Sequence, residues 1–114
     1  MKHYIVILRE PDGRKDPHAP DEITVHRANW NRWLTEHQHS LRGGTALSLK
    51  GVVINGEGAL QQIKAGPYQR HDDEIVGGYL LLEANDLEHA TSIMRTCPAY
   101  EFGGFAEIRE AMDV

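Results

Sequence analysis

Apolar positions change their period from segment to segment along this 114-residue chain, and the changes mark out its elements. Tyr4 to Leu8 is an unbroken apolar run rich in β-branched residues, closed by Arg9-Glu10-Pro11-Asp12-Gly13. That pattern predicts a central strand ending in a turn. From Asp12 to Pro20 the prolines and charges rule out a regular element and predict a covering loop. Asp21 is the expected N-cap of a first helix that runs through Arg42 and stops at Gly43-Gly44. Ile23, His26, Trp30, Trp33, Leu34, His37 and Leu41 recur on its apolar face at spacings of three and four.

Beyond the glycines, Thr45 to Leu49 and Val52 to Asn55 have strand composition. Asn55-Gly56-Glu57-Gly58 is a turn signal, and Ala59 to Lys64 follows it, which predicts a hairpin. Gly66-Pro67 bends the chain into the polar loop His71-Asp72-Asp73-Glu74, and Glu74 to Glu83 reads as the second long strand. Gly77-Gly78 inside that strand suggests a bulge or a close backbone approach. Asp86 is the expected cap of a second helix with the stripe Leu87, Ala90, Ile93, Met94 and Cys97, ended by Pro98. Phe105 to Ile108 is the last predicted strand.

Strand, helix, strand pair, strand, helix, strand is the order of an α+β fold. We expect one domain over residues 1–114: a ferredoxin-like βαββαβ sandwich with an antiparallel sheet and an inserted hairpin. Two helices cover one face of such a sheet and leave the other bare. A second copy of the chain is the expected cover, giving a homodimer.

A net charge of -5 and the absence of any long basic run argue against a nucleic-acid partner, whose phosphates demand clustered Lys and Arg. The five-residue apolar block near the N-terminus is shorter than the core of a signal peptide, about 7–15 residues, and far short of a membrane span. The lone Cys97 has no partner for an internal disulfide. A cytoplasmic protein away from membranes is the expectation.

His26 and His37, on the tryptophan face, are the expected general acid-base candidates, because imidazole titrates near neutrality. They equally suit a helix face that packs against the core. The loop acids supply a candidate carboxylate partner, with Asp72 the first choice; a run of charges also suits a solvated turn. Trp30, Trp33 and Tyr68 would line a pocket for a small ligand of aromatic character, beside His37. His37 and His39 lie two apart on the predicted helix and point in different directions, so no metal site and no cofactor are expected. Cys97 falls at a helix C-terminal end, where the dipole does not activate a thiol, and reads as packing.

Ala65-Gly66-Pro67-Tyr68, then Ile75-Val76-Gly77-Gly78-Tyr79-Leu80-Leu81-Leu82-Glu83, Asp86-Leu87-Glu88-His89-Ala90 and Cys97-Pro98 follow one another in a recognisable order. With Asp21-Glu22-Ile23, Trp30 and Trp33, they make the chain resemble the YCII-related domain family, in the branch named for its Asp-Gly-Pro-Phe motif. The resemblance implies a dimeric α/β barrel with a cleft near the Gly-Pro turn and the first helix. It also implies acid-base chemistry of the elimination type, which one relative performs on a chlorinated hydroxyquinone ring. Ala65 stands where the motif has Asp, and Tyr68 where it has Phe.

Two readings follow. One is a small-molecule-binding dimer with acid-base, lyase-type activity; the other is a catalytically silent binding or regulatory dimer in which Ala65 marks the lost acid. A histidine opening into a cavity of a few hundred Å³ with an acid in hydrogen-bond reach favours the first. Imidazoles sealed in core or pointing to solvent favour the second.

Overall fold

The apolar run Tyr4 to Leu8 lies inside strand β1 (Lys2–Pro11), which is flanked on both sides by antiparallel partners. A computed structural model describes residues 1–14, 17–70 and 73–112 of the chain. After β1 come helix α1 (Pro20–Glu36), strand β2 (Leu41–Ala46), the short strands β3 (Val52–Asn55) and β4 (Gln62–Ala65), strand β5 (Glu74–Ala84), helix α2 (Leu87–Met94) and strand β6 (Phe105–Glu110). The main sheet has the order β2-β5-β1-β6, and β3 and β4 form a separate two-stranded sheet. This is the ferredoxin-like α+β arrangement, with the hairpin inserted between β2 and β5.

Alternation along the strands decides which face carries the core. Tyr4 and Val6 of β1 and Leu80, Leu82 and Ala84 of β5 are buried, and they pack with Ala90, Ile93 and Met94 of α2, Cys97 and Trp33. The intervening Ile5, Ile7 and Leu81 are only half-buried, and Tyr79 and Phe105 are exposed on the opposite face. Helix α2 starts as its sequence predicts: Asp86 Oδ1 accepts a hydrogen bond from the His89 backbone N–H at 2.8 Å, a cap that contributes about 1 kcal/mol. Ala90, Ile93 and Met94 bury the expected stripe, whereas Leu87 at its start is exposed.

Helix α1 departs from expectation at both ends. Its first position is Pro20, and the preceding Ala19 donates its N–H to Glu22 Oε1 at 3.2 Å, so the cap precedes Asp21, which falls in the first turn. At the other end the helix stops at Glu36 rather than Arg42. His37 to Ser40 form a turn, with the Ser40 and Leu41 N–H groups both donating to the His37 carbonyl. The Ser40 carbonyl then accepts from Glu83 N–H at 2.8 Å, and the chain is drawn onto the edge of β5 as β2.

Gly43 and Gly44 therefore lie within a strand, seven and eight residues past the helix end at Glu36, and the strand predicted at Thr45 to Leu49 begins earlier, at Leu41. The reason is steric. A Cβ on Gly44 would lie 2.4 Å from the Tyr79 carbonyl oxygen, and its φ of +133° suits glycine. A glycine pair that would end an isolated helix here lets two backbones approach.

The glycines of β5 act in the same way. Leu8 pairs with Gly78 and Arg9 with Val76, so Gly77 is the extra residue of a β-bulge. A Cβ on Gly78 would lie 2.9 Å from the Thr45 carbonyl oxygen. The β3–β4 hairpin stands off this sheet, with Val52, Ile54, Leu60 and Ile63 exposed. At its base Gly66 N–H donates to the Gly51 carbonyl at 2.8 Å, which places the Gly66-Pro67 turn beside the hairpin.

Gly44→Ala is expected to lower stability by at least about 2 kcal/mol, through backbone overlap at the β2–β5 edge. Gly13→Ala, where an added Cβ meets nothing within 4 Å, should stay within about 0.5 kcal/mol of the parent. Urea denaturation of the two variants in parallel measures the difference.

Candidate functional site

Between α1 and the glycine-bearing end of the sheet lies a cavity of about 490 Å³, in the size range of small-molecule sites. Its existence follows from side-chain size. Gly44, Gly77, Gly78 and Gly104 line it on the sheet side, where larger residues would fill the space under the helix. His26, Arg27, Trp30, Asn31 and Leu34 come from α1, one to two turns apart. Leu8, Leu80, Ala99 and Phe102 complete a mostly apolar wall, and Arg9 and Glu10 stand at the end of β1.

His26 is the most connected side chain of this wall. Trp30 donates its indole Nε1–H to His26 Nε2 at 3.0 Å. An indole N–H only donates, so Nε2 presents its lone pair and Nδ1 carries the proton. That Nδ1–H points at Glu101 Oε1, 2.8 Å away. Asn29 holds the other oxygen, donating Nδ2–H to Glu101 Oε2 at 2.9 Å, and Arg32 in turn donates to Asn29 Oδ1. Phe102 lies against the imidazole at 4.4 Å between ring centroids, and His18 stacks on the far side of Phe102 at 3.8 Å. The ring is thus fixed in one tautomer and one orientation.

Glu10 is the second acid of the site. A Cβ on Gly77 would overlap its carboxylate, so the bulge glycine makes the space in which Glu10 lies. Its surroundings push the carboxyl pKa above the usual 4.5 by desolvation, and the nearby His26 works against this in the opposite direction. Although water reaches the side chain at the cavity mouth, the carboxyl is set apart from an ordinary surface glutamate.

A third acid close by is structural. Asp12, fully buried, accepts from Arg14 Nε and Nη2 and from Gln69 Nε2, the last at 2.6 Å. The Arg14 hydrogen bonds hold its carboxyl far below the usual aspartate range. Asp12 also donates its backbone N–H to the Asp73 carbonyl, tying the end of β1 to the polar loop.

A model of the YCII-related domain matches residues 1–112 of the chain. The chain belongs to this family. Among solved structures, one similar to it is the 5-chloro-2-hydroxyhydroquinone dehydrochlorinase of Burkholderia phenoliruptrix, in complex with 2,5-dihydroxybenzoquinone. The two are 15% identical with a TM-score of 0.53, over 96% of this chain and 93% of that one. At that identity the likeness establishes a shared fold. No curated protein matches the chain significantly.

Within this YCII-related fold, the residues singled out from sequence separate. His26 and Trp30 are brought together in the cavity wall. Trp33 is 3% exposed in the core, with its Nε1–H on Thr96 Oγ1 at 3.1 Å. His37 packs on Trp33 at 4.9 Å between centroids, away from the cavity. Tyr68 is 67% exposed and does not line it either. Asp72, like His71, lies outside the described residues; of the same loop, Glu74 pairs with Arg70 at 3.6 Å. The cavity itself opens beside Gly77-Gly78, away from the Gly66-Pro67 turn.

Glu10 and Glu101 carry no signal in the sequence that would select them. One is a lone acid before a proline at a strand end, the other a lone acid in a 3₁₀ turn at Pro98–Phe102. Among the described residues no three His, Cys, Asp or Glu side chains converge on a common point, and no helix there is long and apolar enough to cross a membrane. Cys97 is buried, and burial pushes its thiol up to about 11.

Cys97 is therefore expected to resist thiol reagents in the folded protein at neutral pH and to react once urea exposes it, a contrast a colorimetric thiol assay reads directly. Asp12→Asn should lower the urea midpoint at neutral pH, because the lost carboxylate held Arg14 and Gln69. Asp12 is depressed in the folded state, so its contribution is present above pH 3.8 and lost as the pH falls below it. The gap between parent and variant should narrow over that acid range.

Proposed function

We propose that the cavity under α1 binds a small cyclic organic molecule and serves acid-base chemistry of the elimination type, in a homodimer. The observation that carries the reading is the pairing of His26 with Glu101 at 2.8 Å on the wall of a 490 Å³ cavity that also holds Glu10. The fold shared with a dehydrochlorinase solved with a hydroxylated quinone supports the substrate class.

Roles divide by hydrogen bonding. His26 Nε2 is occupied by the Trp30 indole, so His26 acts as a positioned, polarisable partner rather than as a free base. Glu10 is the base: its raised pKa makes the carboxylate a better proton acceptor than an exposed glutamate. In a dehydrochlorination the carboxylate takes a proton from the ring substrate, the released electron pair forms the new double bond and chloride departs, so HCl is lost overall. The apolar wall of Leu8, Trp30, Leu80 and Phe102 holds the ring beside the Glu10 carboxylate.

The homodimer forms through the bare sheet face. Ile5, Ile7, Leu81, Tyr79 and Phe105 make a contiguous apolar surface there, of the kind that marks an interface. The second reading, a silent binding module, is favoured by one observation: both nitrogens of His26 are already taken.

Addition of 2,5-dihydroxybenzoquinone should shift the Trp30 indole and His26 ring NMR signals while leaving Trp33 in place; if neither residue moves, the cavity is not the site. Chloride release from 5-chloro-2-hydroxyhydroquinone should rise with pH through a midpoint above 4.5, because Glu10 must be ionised to accept the proton, and fall at least about 100-fold in Glu10→Gln. Binding without chloride release selects the silent module. Light scattering should give twice the 12.8 kDa of one chain, and Leu81→Asp should return it to one.

A further inference from the structure

We propose that Arg27 is the specificity residue of the cavity and that it selects planar organic anions over their neutral counterparts. The inference deepens the proposed binding function and rests on it.

Six of the eight arginines are engaged, and Arg95, which has no side-chain partner among the described residues, does not line the cavity. Arg9 pairs with Glu107, Arg14 with Asp12, Arg42 with Glu83, Arg70 with Glu74 and Arg109 with Glu107, and Arg32 donates to Asn29. Arg27 is exposed on α1, lines the cavity and has no acceptor among the described residues. Two acids on or against α1 are engaged elsewhere: Glu22 accepts from the Ala19 N–H, outside the cavity, and Glu101 is held by His26 and Asn29.

Glu10, the carboxyl that lines the cavity, does not neutralise Arg27 through any hydrogen bond or ion pair. One turn along the helix Asn31 also lines the cavity, offering an amide next to the guanidinium. A five-donor planar fork beside an amide, above walls of Trp30, Phe102, Leu8 and Leu80, matches a flat apolar body that carries an anionic oxygen.

Net charge makes the local arrangement decisive. The chain carries -5, so an anion gains nothing from the overall field and needs a specific cation. A neutral ring would fill the same apolar wall without calling on Arg27. The anion is either a carboxylate on the ring or an oxyanion of the ring itself; both present paired or delocalised oxygens to the fork.

Benzoate and its neutral isostere benzamide, with 2,5-dihydroxybenzoquinone as the ring-oxygen probe, separate these cases by NMR titration of the full chain. Benzoate is expected to bind more tightly than benzamide, to weaken about tenfold in Arg27→Gln, to recover in part in Arg27→Lys, and to weaken with added salt. Benzamide affinity should stay within about twofold across the variants. If Arg27→Gln leaves benzoate and the quinone unaffected while both still shift the Trp30 signal, the Arg27 assignment is overturned and the cavity reading stands. If only the quinone is weakened, the anion is the ring oxygen; if only benzoate, a carboxylate. Each of those two results supports Arg27 as the selector. If no probe shifts Trp30 in the parent protein, both readings fall together.

Discussion

Close packing at Gly44, Gly77, Gly78 and Gly104, where no Cβ fits, is the constraint on which this molecule depends. Gly44 and Gly78 let β2 lie against β5 with carbonyl oxygens where a Cβ would have to go, and Gly77 takes up the extra residue of the bulge. The same absence of side chains leaves α1 with nothing to pack on over its first turns. The helix is instead propped at its far end by Trp33 in the core, and along its side by the 3₁₀ turn that carries Glu101 and Phe102. A cavity is what remains between a helix supported at one end and a floor made of glycine.

Charges around that cavity are sorted by what they touch. Asp12 is buried but stays ionised, because a guanidinium and an amide meet its oxygens. Glu10 has no such donors and is pushed the other way by desolvation. Glu101 is spent on orienting His26, and the indole of Trp30 fixes that ring from the other nitrogen. Three acids within one end of the molecule thus have three different jobs, and the difference lies in their donors rather than in their residue type. The two tryptophans divide likewise. They stand three residues apart on one helix, yet Trp33 reaches the sheet's packed half and Trp30 its glycine half.

Exposed apolar side chains among the described residues include those on the uncovered face of the sheet and on the β3–β4 hairpin. A two-stranded hairpin with exposed Val52, Ile54 and Ile63 is marginal in water by itself. Its base is tied to the Gly66-Pro67 turn, so that turn supports the hairpin and not the cavity.

Much of the fold was legible in the amino-acid order alone, because it depends on local and periodic signals. The apolar run of β1, the Asp86 cap and stripe of α2, the turn of the hairpin and the bulge at Gly77-Gly78 are each encoded within a few residues. Their order then left little choice but the ferredoxin-like sandwich. What the chain could not declare locally was settled by contact. Gly43-Gly44 ends a helix or lines a strand according to whether a neighbouring backbone is there to be approached, and β5 supplied one. Trp30 and Trp33 share a helical face, and only the size of the residues opposite them assigns one to a core and the other to a cavity. Glu10 and Glu101 are 91 positions apart, and nothing short of the folded sheet and its 3₁₀ turn could bring both to the same histidine.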